Sequence, residues 1–178
     1  MEKFRRRKLE DEKEMNKVVI YQSGTGFTAK YAGWIAERLG CEAKEYKNVN
    51  TSELAGYDMV IYGGWIMGGM IVGYDKIKGL NLNNVVVFGV GMALSSEEVI
   101  ENIATQNQIP RDKFFYFEGG YNPQKLGFMK KMMVNMVIKS VEKKEEKTEA
   151  DLYMLKTAKG ADNTNREAIK DLVEYCKQ

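Results

Sequence analysis

The sequence contains no histidine. That removes the side chain most used as a general base near neutral pH, the usual hydrolytic triads and the commonest metal ligand. Cysteine is scarce. Cys41 and Cys176 stand far apart and match no metal or disulfide framework. Two reduced thiols in a reducing compartment are expected. No apolar run reaches the roughly 18 residues that a membrane-spanning helix needs. Excess charge of one sign is absent too: the formal net charge is +2 over 178 residues, which gives no whole-molecule argument for a nucleic-acid partner. The opening stretch, MEKFRRRKLEDEKEMN, is charged and lacks the apolar segment of a secretory signal. The expected location is cytoplasmic.

With 44% hydrophobic and 29% charged residues, the chain has the balance of a globular domain with a substantial core. Residues 1–14 look foreign to that domain and read as a solvated charged extension. A single domain is expected over 15–178. Continuous apolar runs bounded by turns read as buried strands at 17–21 (KVVIY), 57–64 (YDMVIYGG), 83–92 (NNVVVFGVGM) and 113–120 (KFFYFEGG), with a weaker strand at 41–47. Between them fall helical patterns. Thr28 to Leu39 carries Tyr31, Ile35 and Leu39 on one face, and Gly40 closes it. TSEL at 51–54 is a capping box, Ser95 or Ser96 caps a helix through EEVIENIATQNQ, and a last helix spans about 165–177. Alternation of this kind implies a three-layer α/β fold: a five-stranded parallel sheet with helices on both faces. The spacing suits strand order 2-1-3-4-5. A helical insertion, about 119–164, breaks the alternation before the last helix.

The turn after the first strand, SGTGFT, spends glycines and hydroxyls on six positions. In a doubly wound sheet that turn lies at the carboxyl edge, where ligands bind, and it opens a helix whose free N–H groups favour an anion. Gly24 and Gly26 permit close backbone approach, while Ser23, Thr25 and Thr28 add hydroxyl donors. No lysine or arginine occurs from Ser23 to Ala29, so neutral donors would hold the anion, as in a nest around a terminal phosphate. The nucleotide P-loop is excluded for want of Gly-Lys-Ser/Thr, and the dinucleotide fingerprint fails because position 29 is alanine.

Ser23 to Thr28 (Ser23, Gly24, Thr25, Gly26, Phe27, Thr28) resembles the Ser/Thr-x-Thr-Gly-x-Thr phosphate loop of flavodoxins, which implies a flavodoxin-like fold and noncovalent FMN held by its 5′-phosphate. The resemblance then puts the flavin ring across the next two turns at the same edge. After the third strand comes GGWIMGGMIVG, 63–73, where Trp65 would stack on the ring or pack under the loop, with Ile66 and Met67 at the ring's apolar edge. Gly63, Gly64, Gly68 and Gly69 would allow the peptide rotation that accompanies flavin redox change in that family. After the fourth strand comes GVGMALSS, containing Gly91. Typical flavodoxins carry an aromatic and acidic residues there. This sequence has neither until Glu97, and Tyr121 is the candidate that supplies a ring instead.

Residues 124–147 hold seven lysines against three glutamates, with Met129, Met132, Met133, Met136 and Val137 at helical steps. A basic helix over 125–139 with a flexible apolar face reads either as a peripheral membrane or partner contact, or as a face packed on its own domain. The stretches SGTGFTAKYAGWIAERL, FFYFEGGYNPQKLGFMKKMM and NREAIKDLVEY resemble the flavodoxin-domain subgroup related to menaquinone-dependent protoporphyrinogen IX dehydrogenase. That resemblance implies a redox partner protein or quinone. The reading is a flavin electron carrier; the alternatives are a quinone-dependent protoporphyrinogen dehydrogenase-like enzyme, a non-catalytic flavin-binding sensor or interaction module, and a flavin-free phosphate binder. No side chain is assigned to acid–base catalysis or to a metal. The sequence does not specify the oligomeric state.

Overall fold

The structure, a computed structural model, describes residues 15–178, and the charged extension 1–14 lies outside the described residues. β1 (Lys17–Gln22) pairs in parallel with β2 (Glu42–Glu45) on one side and β3 (Met59–Met67) on the other. β3 pairs in parallel with β5 (Val85–Gly91), and β5 with β6 (Phe114–Glu118). The order β2-β1-β3-β5-β6 is the expected five-stranded parallel sheet. A short sixth strand, β4 (Met70–Ile71), pairs antiparallel with the end of β3.

Side-chain alternation along the strands builds two cores. Val19, Ile61, Val86 and Phe88 face α1 (Phe27–Leu39) and the C-terminal α6 (Lys170–Tyr175), meeting Tyr31, Ile35 and Leu172. Val18, Ile20, Val60 and Val87 face the opposite layer, which holds Ile77 of α2 (Tyr74–Lys78) and Ile103 of α3 (Glu97–Asn107). With both faces covered, the sheet needs strands that are apolar throughout, as the sequence runs show.

Four elements differ from the sequence expectation. β3 was expected to end at residue 64, with a loop following; it runs on to Met67, because Trp65 pairs with Val90 across the sheet, and then turns back. Gly68 (φ 59°) and Gly69 (φ 82°) supply the left-handed turn of this hairpin. The buried carboxamide of Asn107 pins it, accepting from the Ile71 N–H at 2.9 Å and donating to the Gly69 carbonyl at 2.8 Å. TSEL forms a 3₁₀ segment, Thr51–Gly56, capped by Asn50 through the Ser52 N–H. The last helix is split: Arg166–Ile169 is 3₁₀, and only α6 is α-helical. The insertion forms two helices, α4 (Phe128–Glu142) and α5 (Glu149–Thr157). Thr148 and Asp151 cap α5 reciprocally, and Lys144 with the Thr148 N–H holds the Asp151 carboxyl down at about 2. Tyr153 on α5 donates to Glu118 Oε2 at 2.6 Å, fastening the insertion to the carboxyl end of β6.

α4 touches the domain along one edge only. Val141 is buried and Val134 and Ile138 are half-buried, whereas Phe128, Met129, Met132 and Met136 are exposed.

Candidate functional site

At the carboxyl end of β1 the chain must leave the sheet and enter α1 within four residues. Gly26 achieves this with φ 106°, ψ −18°, a left-handed conformation at the cap position. The Ser23 hydroxyl oxygen accepts from the Gly26 N–H (3.1 Å) and the Ala29 N–H (3.4 Å), so Ser23 shapes the loop from within. The first-turn N–H groups of Phe27 and Thr28 have no carbonyl four residues back within the helix to receive them. The first turn carries no acidic residue. Thr28 is 1% exposed, and its Oγ1 is buried with no hydrogen-bond partner. A buried orphan hydroxyl costs stability unless a ligand completes it. Donors without a local acid at a helix N-terminus suit a phosphate monoester.

Two cavities meet at this loop. The first, about 560 Å³, is lined by Gly24, Thr25, Phe27 and Thr28 at one end. Its walls are Trp65, Ile66 and Met67 from the β3 hairpin, Gly91 at the end of β5 and Ala93 beyond it, and Gly119 to Asn122 after β6. α4 closes the far side with Lys130, Met133, Val134 and Val137. The volume falls in the range of cofactor sites. The second cavity, about 550 Å³, shares Thr25, Gly26 and Phe27 and is lined by Lys30, Lys125 and Lys159. Lys30 is already tied to Asp162 at 2.9 Å and to Thr164 at 2.7 Å.

Most of the sequence-derived site residues converge here. Trp65 lies with its indole beside Gly24: a Cβ there would stand 3.5 Å from Trp65 Cε2. Tyr121 lines both cavities, and its hydroxyl donates to Asn135 Oδ1 on α4 at 3.4 Å. Gly91 sits under the Tyr116 hydroxyl, which donates to the Ala93 carbonyl at 2.7 Å; burial raises that phenol far above its ordinary pKa. Ser23 and Gly26 do not line the first cavity; they form and cap the loop. Gly63 and Gly64 line neither cavity. They lie buried inside β3, where residues 63 and 64 pair with both neighbouring strands, and a loop-peptide role for them is replaced by one in sheet packing.

The wall from α4 was not foreseen. Lys130 Nζ stands 4.8 Å from the Trp65 ring centroid, a cation–π contact joining residues far apart in the sequence. One lysine among seven in a basic stretch carries no signal of its own. The thiols take no part: burial raises both, Cys176 to about 12. No group of three or more metal-ligating acid or thiol side chains occurs among the described residues.

A doubly wound sheet with its hydroxyl-rich loop, cavity and flanking turns at one carboxyl edge defines an open α/β domain with its candidate ligand site at the strand ends. The flavodoxin domain family matches residues 18–149, and the chain belongs to that family. No curated protein matches the chain. Among solved structures, oxidised flavodoxin 2 from Bacillus cereus is 21% identical, covering 72% of this chain and 99% of its own, with a TM-score of 0.43. The flavodoxin-fold WrbA-like protein from Agrobacterium tumefaciens is 16% identical over 82% of this chain and 96% of its own, TM-score 0.43. A flavoprotein from Lactobacillus acidophilus in complex with FMN is 14% identical over 58% of this chain and 91% of its own, TM-score 0.38. Family membership rests on the domain match, and the fold on the strand order itself.

Proposed function

We propose that the protein is an FMN-binding redox protein that carries electrons on a noncovalent flavin. The observation that carries this reading is the buried, unpartnered hydroxyl of Thr28 at the helix N-terminus, on a residue that lines the apolar cavity walled by Trp65. The residues fit the group. Thr25, Thr28 and the α1 N–H groups would hold phosphate, and Trp65, Ile66, Met67 and Tyr121 would enclose the ring. FMN supplies electron storage; the chain binds it, orients it and keeps water from one side. No histidine is needed for such work.

A finer reading is oxidation of a reduced organic substrate of the protoporphyrinogen type, with a quinone as acceptor. It is supported by the sequence resemblance and by the apolar cavity wall that α4 adds. The test is an anaerobic absorbance series on FMN-reconstituted protein. Bleaching on adding protoporphyrinogen, with recovery on adding a menaquinone analogue, is the outcome expected of the enzyme. A yellow protein that ignores both and is reduced only by partner reductases is a carrier; one that neither route reduces is a sensor. A colourless protein overturns the flavin reading.

A peripheral membrane contact is a second proposal, favoured by the outer face of α4. Phe128 is 81% and Met129 68% exposed, among the lysines of the same helix. Bilayer contact would cover this apolar face while the lysines meet anionic headgroups. Deleting 125–139 would also remove the cavity wall, so substitution is the cleaner experiment. Phe128→Ser with Met129→Ser and Met132→Ser should abolish sedimentation with phosphatidylglycerol vesicles while FMN stays bound. Equal sedimentation of the two proteins, or none by the unaltered protein, removes the membrane contact.

A further inference from the structure

We propose that Lys130 raises the potential of the bound flavin, by placing one positive charge in a cavity that holds no negative one. The inference rests on the FMN reading above and adds a residue and a direction to it. Among the described residues lining the first cavity, Lys130 is the only one with a charged side chain. Its ammonium stands over the Trp65 ring, at the wall where the flavin ring would lie. It forms no ion pair with any described acid. The acids at the same edge of the sheet are engaged elsewhere. Glu118 accepts from the Ser95 N–H at 2.8 Å and the Tyr153 hydroxyl at 2.6 Å. Glu97 pairs with Arg111 at 3.1 Å.

The physical consequence follows from charge balance. Two electrons and one proton convert a neutral oxidised flavin ring into a reduced ring with one net negative charge. A cation facing that ring favours the reduced form and leaves the oxidised form little affected. Apolar walls reduce screening, so the interaction exceeds its value in bulk water. Lys130 is a solvent-exposed residue, which restores part of the screening and limits the effect. The expected size is about a tenfold tighter hold on reduced than on oxidised flavin, which reads as about 30 mV for a two-electron couple. The direction is upward. The site is thereby biased toward accepting electron pairs from reduced organic donors, and away from acting as a strongly reducing carrier.

The experiment measures the two-electron midpoint of full-length protein with FMN in excess, by equilibration against a reference dye under dithionite titration. Lys130→Met should lower the midpoint by about 30 mV. Lys130→Glu should lower it further, and Lys130→Arg should restore the unaltered value. Dissociation constants for oxidised and for reduced FMN give a second readout: the Met variant should weaken binding of the reduced form about tenfold more than that of the oxidised form. A Met variant that binds FMN with an unchanged midpoint overturns the role of Lys130 and leaves the flavin reading intact. Failure of the unaltered protein to bind FMN overturns both. A midpoint lowered equally by Met and Arg would assign the effect to packing against Trp65, and would also overturn the charge argument.

Discussion

Thr25→Asp leaves the protein folded and unable to retain FMN. Thr25 lines both cavities, and the hydrogen bonds that shape the loop run through Ser23 instead. The substitution therefore removes none of the loop's own supports. It sets a carboxylate where a phosphate dianion would be held. Each pair of like unit charges about 4 Å apart costs roughly 4 kcal/mol at an effective dielectric of about 20, so the loss in affinity is about a thousandfold or more. The carboxylate would also compete for the α1 N–H groups, which hold anions whatever their source. Gel filtration of the reconstituted variant should give a colourless protein with an unaltered circular dichroism spectrum. Thr25→Ser, which keeps the hydroxyl, should stay yellow. If the Asp variant keeps FMN at near the unaltered affinity, the phosphate does not sit at this loop.

Gly63→Ala destabilises the domain by about 3 kcal/mol or more, with no ligand involved. An added Cβ would lie 2.0 Å from Phe88 Cζ, deep inside van der Waals contact. Phe88 has no room to yield: it is fully buried and its ring centroid lies 5.6 Å from that of Phe117. A densely packed interior transmits such a clash into the sheet. Urea unfolding gives the measurement, as a lowered midpoint at unchanged slope. Phe88→Leu, costly alone, should recover much of the loss when combined with Gly63→Ala, since the two side chains then share one space. A neutral Gly63→Ala would mean that the glycine is kept for something other than the approach of Phe88.

These two positions divide along the line between local and distant information. The strands β1, β3, β5 and β6 and the helix α1 are written in short windows of sequence, because hydrophobic periodicity is set by the neighbours of each residue along the chain. The proposed phosphate loop is equally local: Ser23 to Thr28 contains its turn, its glycine cap and its hydroxyls, and the adjoining helix supplies the N–H groups. The handedness of crossovers left few topologies before any contact was known, and the strand spacing suited the order 2-1-3-4-5 among them. By itself, then, the sequence determined the fold class and the place of the hydroxyl-rich turn at the carboxyl edge of the sheet.

The remainder depended on contacts between residues far apart in the chain, which no window shows. Gly63 and Gly64 read as the end of a strand and the start of a loop until the pairing with β5 carried the strand past them to Met67. The hairpin end of β3 is held by Asn107, on a helix well downstream. The methionines of α4 form an amphipathic stripe in sequence, yet the edge that meets the domain is Val134, Ile138 and Val141. Periodicity gives a helix its faces without saying which of them finds a partner. The closing of α4 over Trp65, the single charge it brings there and the second cavity beside Thr25 to Phe27 were decided only by the tertiary structure. The physical reason is that a cavity is the space left between elements, and its walls come from segments whose proximity exists only after the chain has packed.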